Sequence, residues 1–553
     1  MKEGNLLEGV LANTADEDEI YKFLVDMPKH KEDHPFPSIP PNPSTFSKEA
    51  LAARQDMEWL HAVDMVLYYP DSPQLEDQKV QLNTLKDNLK TECIQLPQGF
   101  CPAFPEGYNE YVLALDTETT GLDTRILYDY DGNLIIKTQI VGICLAPNEN
   151  KGYYLPVQHT GEDGIPNWDP QVMNSFLDEL HEEFTMIYHN AQYDREIMAI
   201  NGVTKLRPWP YFFDTQLLDF FLDVNNKAHG LKAVSAKLAG RKMIEIGELF
   251  VESGLFKKAD LKHINITFDR LPATNAYVYG ASDATNTYAI FKHYASLPEE
   301  RNMFFKESVP LTVDHRNSDV LRNMYRMGLP VNFDYYMWAG KDAIFRKHAL
   351  EKAIYEYIGR HFDIGSPAQL SKLLFEEYNI PVLPNMKRGK PTKANPDGLY
   401  STAEDVLDAL QEKFPEYIIL NYVVQYRKLG SILGKILLKC LCNSYVDALV
   451  PNTRVFLQYN QTIIPTGRLA SSSSNGKERV TVKESAKTGR VTYRHASGAW
   501  SCGFNSQGIN NPRYKLSKAK RIKKINEDTA GVNLHDPYPK FVRDELVKNC
   551  SFI

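Results

Sequence analysis

Three acidic clusters occur in a fixed order along this chain of 553 residues: Asp116-Thr117-Glu118, then Asn190 through Asp194 in HNAQYD, then Tyr279 through Asp283 in YGASD. Together they supply four carboxylates from three separate segments, enough to hold two divalent cations. One such cation generates hydroxide near neutral pH and a second stabilises a leaving oxygen, which is the chemistry of phosphodiester hydrolysis. The pattern implies a nuclease. Tyr279 would hold the attacking water through its hydroxyl, because a phenol with a pKa near ~10 positions water better than it removes a proton. Four carboxylates this close repel strongly, so the site is expected to bind metal or to retain a proton.

The elements that must carry these residues follow from the hydrophobic pattern. Residues 111–116 (YVLALD) run almost continuously apolar into an acid, as a buried strand does, and Asp116 and Glu118, two apart at its end, share one face. Asp194 falls in the first turn of a helix over 191–200 that follows a strand at 185–189, with Asn190 as its N-cap. Tyr279 and Asp283 are four apart on a long helix over 273–294 and therefore lie on one side of it. Strands over 138–146 and 151–157 and a helix over 173–184 fill the spaces between, and 211–222 and 229–240 extend the alternation. Such alternation implies a sheet with helices on its faces. Taken singly, each cluster also has an ordinary reading: a salt-bridged strand-end pair, an acid favoured near a helix N-terminus, or a half-buried aromatic above a surface acid. His189 reads as a packed or capping histidine, since Mg²⁺ prefers oxygen ligands.

A chain of this length divides into two or three domains. Residues 1–107 carry short helical patterns, for instance over 48–65, a proline-rich break at 35–44 and no chemistry; an α/β domain is expected over 108–300. Helical patterns over 308–329, 366–378, 402–414 and 417–446 make 301–450 a helical region, and 451–553 begins strand-like and turns polar and basic. The net charge of -7 is unevenly spread: between Lys477 and Lys524 thirteen Lys or Arg face only Glu478 and Glu484, an excess that suits a phosphate backbone or a solvated linker. The seven cysteines lack zinc-ligand spacing and read as free thiols of a reduced compartment. No apolar run reaches ~18 residues and the N-terminus lacks a signal core, which points to a cytoplasmic protein without membrane contact.

In this order and context, residues 108–300 resemble the proofreading 3′–5′ exonucleases of the DEDD type that carry a tyrosine in the third motif. The resemblance implies an RNase H-like fold, two divalent ions (Mg²⁺ or Mn²⁺) on Asp116, Glu118, Asp194 and Asp283, and Tyr279 orienting the nucleophile; Asp214 in FFDT and the HGLKAV segment fit the same family. Residues 323–332, 362–382, YRKL at 426–429 and above all NQTIIPTGRLASSSS at 460–474 resemble consecutive pieces of a family A, polymerase I-type DNA polymerase, in a phage-like form. This adds a thumb over 301–450 and the start of an α+β palm after 451. It also implies DNA contacts at Asn190, Arg427, Thr466, Arg468 and Gln507, Arg468 through minor-groove acceptors. Ser431 stands where the family has a companion lysine to Arg427, and some thirty polar, basic residues separate TGRLASS from the imperfect NSQGINNP at 505–512. The chain stops at Ile553 before the family's palm carboxylates. The expectation is therefore a nuclease and DNA-binding portion of a split or truncated polymerase. It would act on single-stranded and primer–template DNA, be unable to polymerise alone, and be completed by a second polypeptide, in the host cytoplasm if phage-encoded. A free-standing exoribonuclease and a non-catalytic assembly subunit are the alternatives.

Overall fold

The computed structural model describes residues 47–96, 111–252, 267–298, 310–433, 454–472, 479–484 and 491–496, less 123, 125, 129–133, 137, 162, 227, 331–332, 385, 393–394 and 456–457. They belong to two compact units, one within Lys29–Leu329 and Phe456–Gly503 and the other within Pro330–Val455.

The first unit is built on strands β1 (Asp64–Leu67), β2 (Tyr111–Thr119), β3 (Ile140–Asn148), β4 (Lys151–Pro156), β5 (Phe184–Tyr188) and β6 (Phe212–Asp214), in the sheet order β1-β4-β3-β2-β5-β6. β2 pairs antiparallel with β3 and parallel with β5, and β1 and β6 close the two edges in parallel pairings. Val112 to Leu115 are fully buried, which is why β2 reads as an unbroken apolar run rather than an alternating one. The longer helices are α1 (Leu75–Glu92), α2 (Pro170–Glu183), α3 (Ala191–Ile200), α4 (Thr215–Leu222), α5 (Leu231–Leu238), α6 (Ala273–Ala295) and α7 (His315–Met327), with a shorter one at Ile246–Glu252. Asp169 starts α2 by accepting the N–H groups of Gln171 and Val172, with Pro170 in the first turn, where a missing N–H costs nothing.

α6 lies across β2, β3 and β4 and is buried on nearly every side. Its close approach depends on Gly280. A Cβ there would fall 2.6 Å from Cys144 Sγ and 2.7 Å from the Tyr154 ring, and Tyr154 cannot yield easily. The Tyr154 hydroxyl donates to His159 Nε2 at 2.7 Å, because His159 Nδ1 donates to the Leu271 carbonyl at 2.7 Å.

Two expected boundaries move. β1 and the buried face of α1 (Leu82, Leu85, Leu89) share the sheet's core, so the boundary drawn near residue 108 falls inside the unit. The helical pattern over 48–65 resolves into a helical turn at Lys48–Ala52, a 3₁₀ turn at Glu58–Ala62 and then β1, since the polar stretch Arg54-Gln55-Asp56 interrupts the apolar stripe. The boundary near 300 also lies inside the unit: α7 packs on α3. A short hairpin of Gln458–Asn460 with Ala470–Ser472 joins it there, Gln461 donating to the Asp314 carbonyl at 2.9 Å and bonding to Ser318 at 3.1 Å. Within the basic run, Arg479–Glu484 pairs antiparallel with Val491–Ala496; most of 477–524 lies outside the described residues.

The second unit is helical: α8 (Phe333–Ile358), which the sequence pattern did not single out, α9 (Pro367–Lys372), α10 (Glu404–Lys413) and α11 (Ile418–Ile432). Ser366 caps α9 ahead of Pro367, as expected. Ile354, Leu370, Leu374, Leu407, Leu420 and Val423 form its core.

Replacing Gly280 by Ala should destabilise the first unit. Overpacking costs about 1–3 kcal/mol and the gain in helix propensity returns up to about 1 kcal/mol. A lower urea midpoint at unchanged slope is the expected result; an equal or higher midpoint contradicts the packing described.

Candidate metal centre

β2 and β3 place the first cluster. Asp116 stands opposite Cys144 and Glu118 opposite Gly142, with a register shift after Glu118 where the ladder loosens. Ligand atoms of Asp116, Glu118 and Cys144 lie within 4.8 Å of one another. Glu118 is buried and Asp116 half-buried.

Asp194 enters from the first turn of α3. Its Oδ1 accepts the Thr117 N–H at 3.1 Å and the Thr117 hydroxyl at 2.7 Å, which fixes one oxygen against β2. Asn190 is not the side-chain cap that its position predicts. It takes a left-handed backbone (φ 74°) and makes no cap hydrogen bond. The Asp214 carboxylate does that work, accepting the N–H groups of Asn190 at 3.0 Å and Ala191 at 2.9 Å. His189 is a packed histidine, as expected: Nε2 donates to the His229 carbonyl at 2.9 Å and Nδ1 meets the Thr215 hydroxyl at 2.8 Å.

α6 brings Tyr279 and Asp283 to the same pocket. Tyr279 is almost fully buried and packs against Phe268, with ring centroids 5.9 Å apart. Lys232 on α5 stands over the Tyr279 ring, Nζ 5.6 Å from its centroid, and its ammonium also bridges to Glu245 at 2.9 Å.

Burial and mutual repulsion govern the electrostatics. Burial pushes Asp116 well above the carboxylate range, and Asp283 adds to it. Glu118 rises by burial and by repulsion from Asp116, Asp283 and Asp194, against a pull from Lys232. Asp194 rises by burial and by Asp116 despite its two Thr117 bonds. Asp283 is pushed up to about 7 by burial, with Lys232 opposing. Burial, then Asp283, raises the Tyr279 phenol, so it keeps its proton.

The donor set fits divalent cations. Glu118 Oε1 and Asp283 Oδ1 are buried with no hydrogen-bond partner. Orphaned carboxylate oxygens facing other carboxylates are what a hard cation satisfies. Three neighbours of the acids carry weight that motif spacing does not announce: Thr117, which holds Asp194; Lys232, which offsets the acidic charge; and Cys144, a buried thiol beside Asp116 and Glu118. Only strand register, which brings Cys144 opposite Asp116, could have found the last.

Thr466 and Arg468 are exposed on the 460–470 loop, where Gly467 takes a left-handed φ of 72°. Arg427, in the second unit, is half-buried and donates to the carbonyls of Thr402 at 2.6 Å and Ile364 at 3.4 Å. Gln507 lies outside the described residues. Among the described residues no helix is long and apolar enough to cross a membrane.

The raised Asp283 has a consequence for stability. Its folded value of about 7 lies above the ordinary 3.8, so between the two the folded chain binds more protons than the unfolded one. Without metal, the stability it contributes is fully present below about 4 and is lost as pH rises towards about 7. Metal should therefore displace protons and raise Tm more at pH 8 than at pH 5. Calorimetric titration with Mg²⁺ at pH 6 in buffers of different ionisation enthalpy should show proton release; heats independent of buffer would exclude it.

Comparison with known proteins accounts for both units' segments. A family model described as 3'-5' exonuclease matches residues 96–296, and one described as DNA polymerase family A matches 340–494. The chain is 27% identical over 376 residues to DNA polymerase I of Pseudomonas aeruginosa, covering 66% of this chain and 36% of that protein. It is 24% identical over 461 residues to DNA polymerase I of Borreliella burgdorferi, covering 82% and 44%. It thus spans less than half the length of these curated relatives. A solved structure, the POL domain of Pol1 from M. smegmatis in complex with DNA primer-template and dNTP, aligns with a TM-score of 0.44 at 18% identity, covering 65% of this chain and 50% of that one. The chain thus carries, in order, a 3′–5′ exonuclease segment and a DNA polymerase family A segment, and is similar over both to bacterial DNA polymerase I.

Proposed function

We propose that the first unit is a metal-dependent exonuclease that removes nucleotides from the 3′ end of DNA, the proofreading activity of a replicative polymerase. The observation that carries this is the pocket of Asp116, Glu118, Asp194 and Asp283, with the buried, unpartnered oxygens of Glu118 and Asp283. These four residues would hold two divalent cations, Mg²⁺ or Mn²⁺, which when bound supply the positive charge that acidifies water and offsets the charge developing on the leaving oxygen.

The rest falls to the chain's own groups. Tyr279, kept protonated by burial, orients the attacking water through its hydroxyl rather than acting as a base. Thr117 holds one Asp194 oxygen and leaves the other for a ligand. Phe268 packs against Tyr279 and limits its rotation. Thr466 and Arg468, both exposed, and Asn190 would meet a DNA strand, Arg468 by a planar fork suited to phosphate and groove acceptors. The helical unit would serve as a thumb, and residues after 451 as the beginning of a palm. Arg427 contributes there by tying the thumb's segments together, its guanidinium being spent on two backbone carbonyls.

The test is a time course with 5′-labelled single-stranded DNA, the matching RNA and Mg²⁺. A ladder shortening from the 3′ end of DNA is expected, with Asp116→Ala slowed on the order of 10²-fold or more, the scale for removing one group that acts directly on developing charge. Equal digestion by the variant would show that another nuclease is at work, and a preference for RNA would favour the exoribonuclease alternative.

A further inference from the structure

The helix that carries Asp194 is held from outside the three acidic clusters. Asp194 is followed by Arg195 and Glu196, 1% and 2% exposed. Charges buried this deeply are costly unless paired and hydrogen-bonded, and their ion-pair partners stand on α7. Arg195 donates to Asp319 Oδ1 from Nη2 at 2.8 Å and from Nε at 3.3 Å, with its guanidinium 4.1 Å above the Phe212 ring. Glu196 receives a two-pronged bond from Arg326, Nε to Oε1 and Nη2 to Oε2, both 2.9 Å. Arg322 adds Nη1 to Glu196 at 3.2 Å and Nη2 to Asp319 at 3.5 Å.

α7 also reaches the start of α3 by a second route. Fully buried His315 accepts the Asp214 N–H at Nε2, 3.0 Å, and the Asp214 carboxylate in turn accepts the Asn190 and Ala191 N–H groups. An apolar seam would dock α3 equally firmly but would tolerate small slides along its axis. A forked Arg–carboxylate pair does not, because both of its bonds must stay near 2.9 Å at once.

We propose that α7 is the positioning element of the metal centre. Asp319 and Arg326 act as positioning residues that fix α3, and with it Asp194, in register with Thr117. This rests on the nuclease reading above. α7 is the last helix of its unit before the chain passes at residue 330 into the second, so the ligand helix is locked to the connector between the two matched family segments.

The test uses the full chain with Asp319→Asn and Arg326→Gln. Mn²⁺ affinity is measured by calorimetry, 3′ digestion of single-stranded DNA is resolved into kcat and KM, and Tm reports folding. Mn²⁺ affinity and kcat are expected to fall about 10–100-fold, the range for groups that orient a metal ligand, with KM for DNA nearly unchanged and kcat partly restored by excess Mn²⁺. Folded variants that bind Mn²⁺ and cut like wild type overturn the proposal, as does a loss confined to KM. Arg326→Lys keeps the charge without the fork, so if a neutral variant fails to fold, wild-type Mn²⁺ affinity in Arg326→Lys overturns it instead. A folded wild-type chain that neither binds Mn²⁺ nor digests DNA overturns the nuclease reading itself, which separates that failure from one of α7 alone.

Discussion

Carboxylates repel, and the pocket that gathers Asp116, Glu118, Asp194 and Asp283 is too dry to screen them well. A pair of charges about 5 Å apart at an effective dielectric of ~20 interacts by about 3 kcal/mol, comparable to a large share of a domain's net stability. The surrounding structure has to hold the acids together against that force when no cation is bound. It does so with elements that cannot give: the central strand β2, flanked on both sides, the all-round buried α6, and a helix start clamped by Asp214. Raised carboxyl pKa values relieve part of the strain by letting the acids keep protons. Divalent cations replace those protons with a stronger partner, so the same repulsion that strains the metal-free fold favours metal uptake.

Much of the site was legible because each acid sits where a periodic element starts or stops. The apolar run into Asp116 announced β2, and the spacing of Tyr279 and Asp283 announced one face of α6. What escaped depended on contacts between distant segments. β1 has only four residues, and its place beside Lys151–Tyr154 is set by long-range pairing rather than by local pattern. Asn190 carries a capping residue type, yet it takes a left-handed backbone and makes no side-chain cap bond, and Asp214, from the next strand, takes over. The charges of α7 read locally as a solvated helix face; only the facing, buried Arg195 and Glu196 make them half-buried ion-pair partners. Domain boundaries drawn at composition changes therefore fell too far inward at both ends.

Arg427 shows the difference between a motif and a contact. Its position in YRKL resembles a basic residue at a DNA-facing junction, but here its guanidinium bonds to the carbonyls of Thr402 and Ile364, at the approaches to α10 and α9. A guanidinium so engaged organises the helical unit around α11 whatever else it touches. Thr466 and Arg468 differ, lying exposed on a turn that Gly467 permits.

The sheet also tapers. β2 and β3 span nine residues each, whereas the edge strands β1 and β6 have four and three. An edge this short offers an incoming strand few main-chain groups to pair with, and Asp64 at the start of β1 adds an exposed charge. The sheet thus offers a neighbouring chain little edge to zip onto, which guards it against edge-to-edge aggregation.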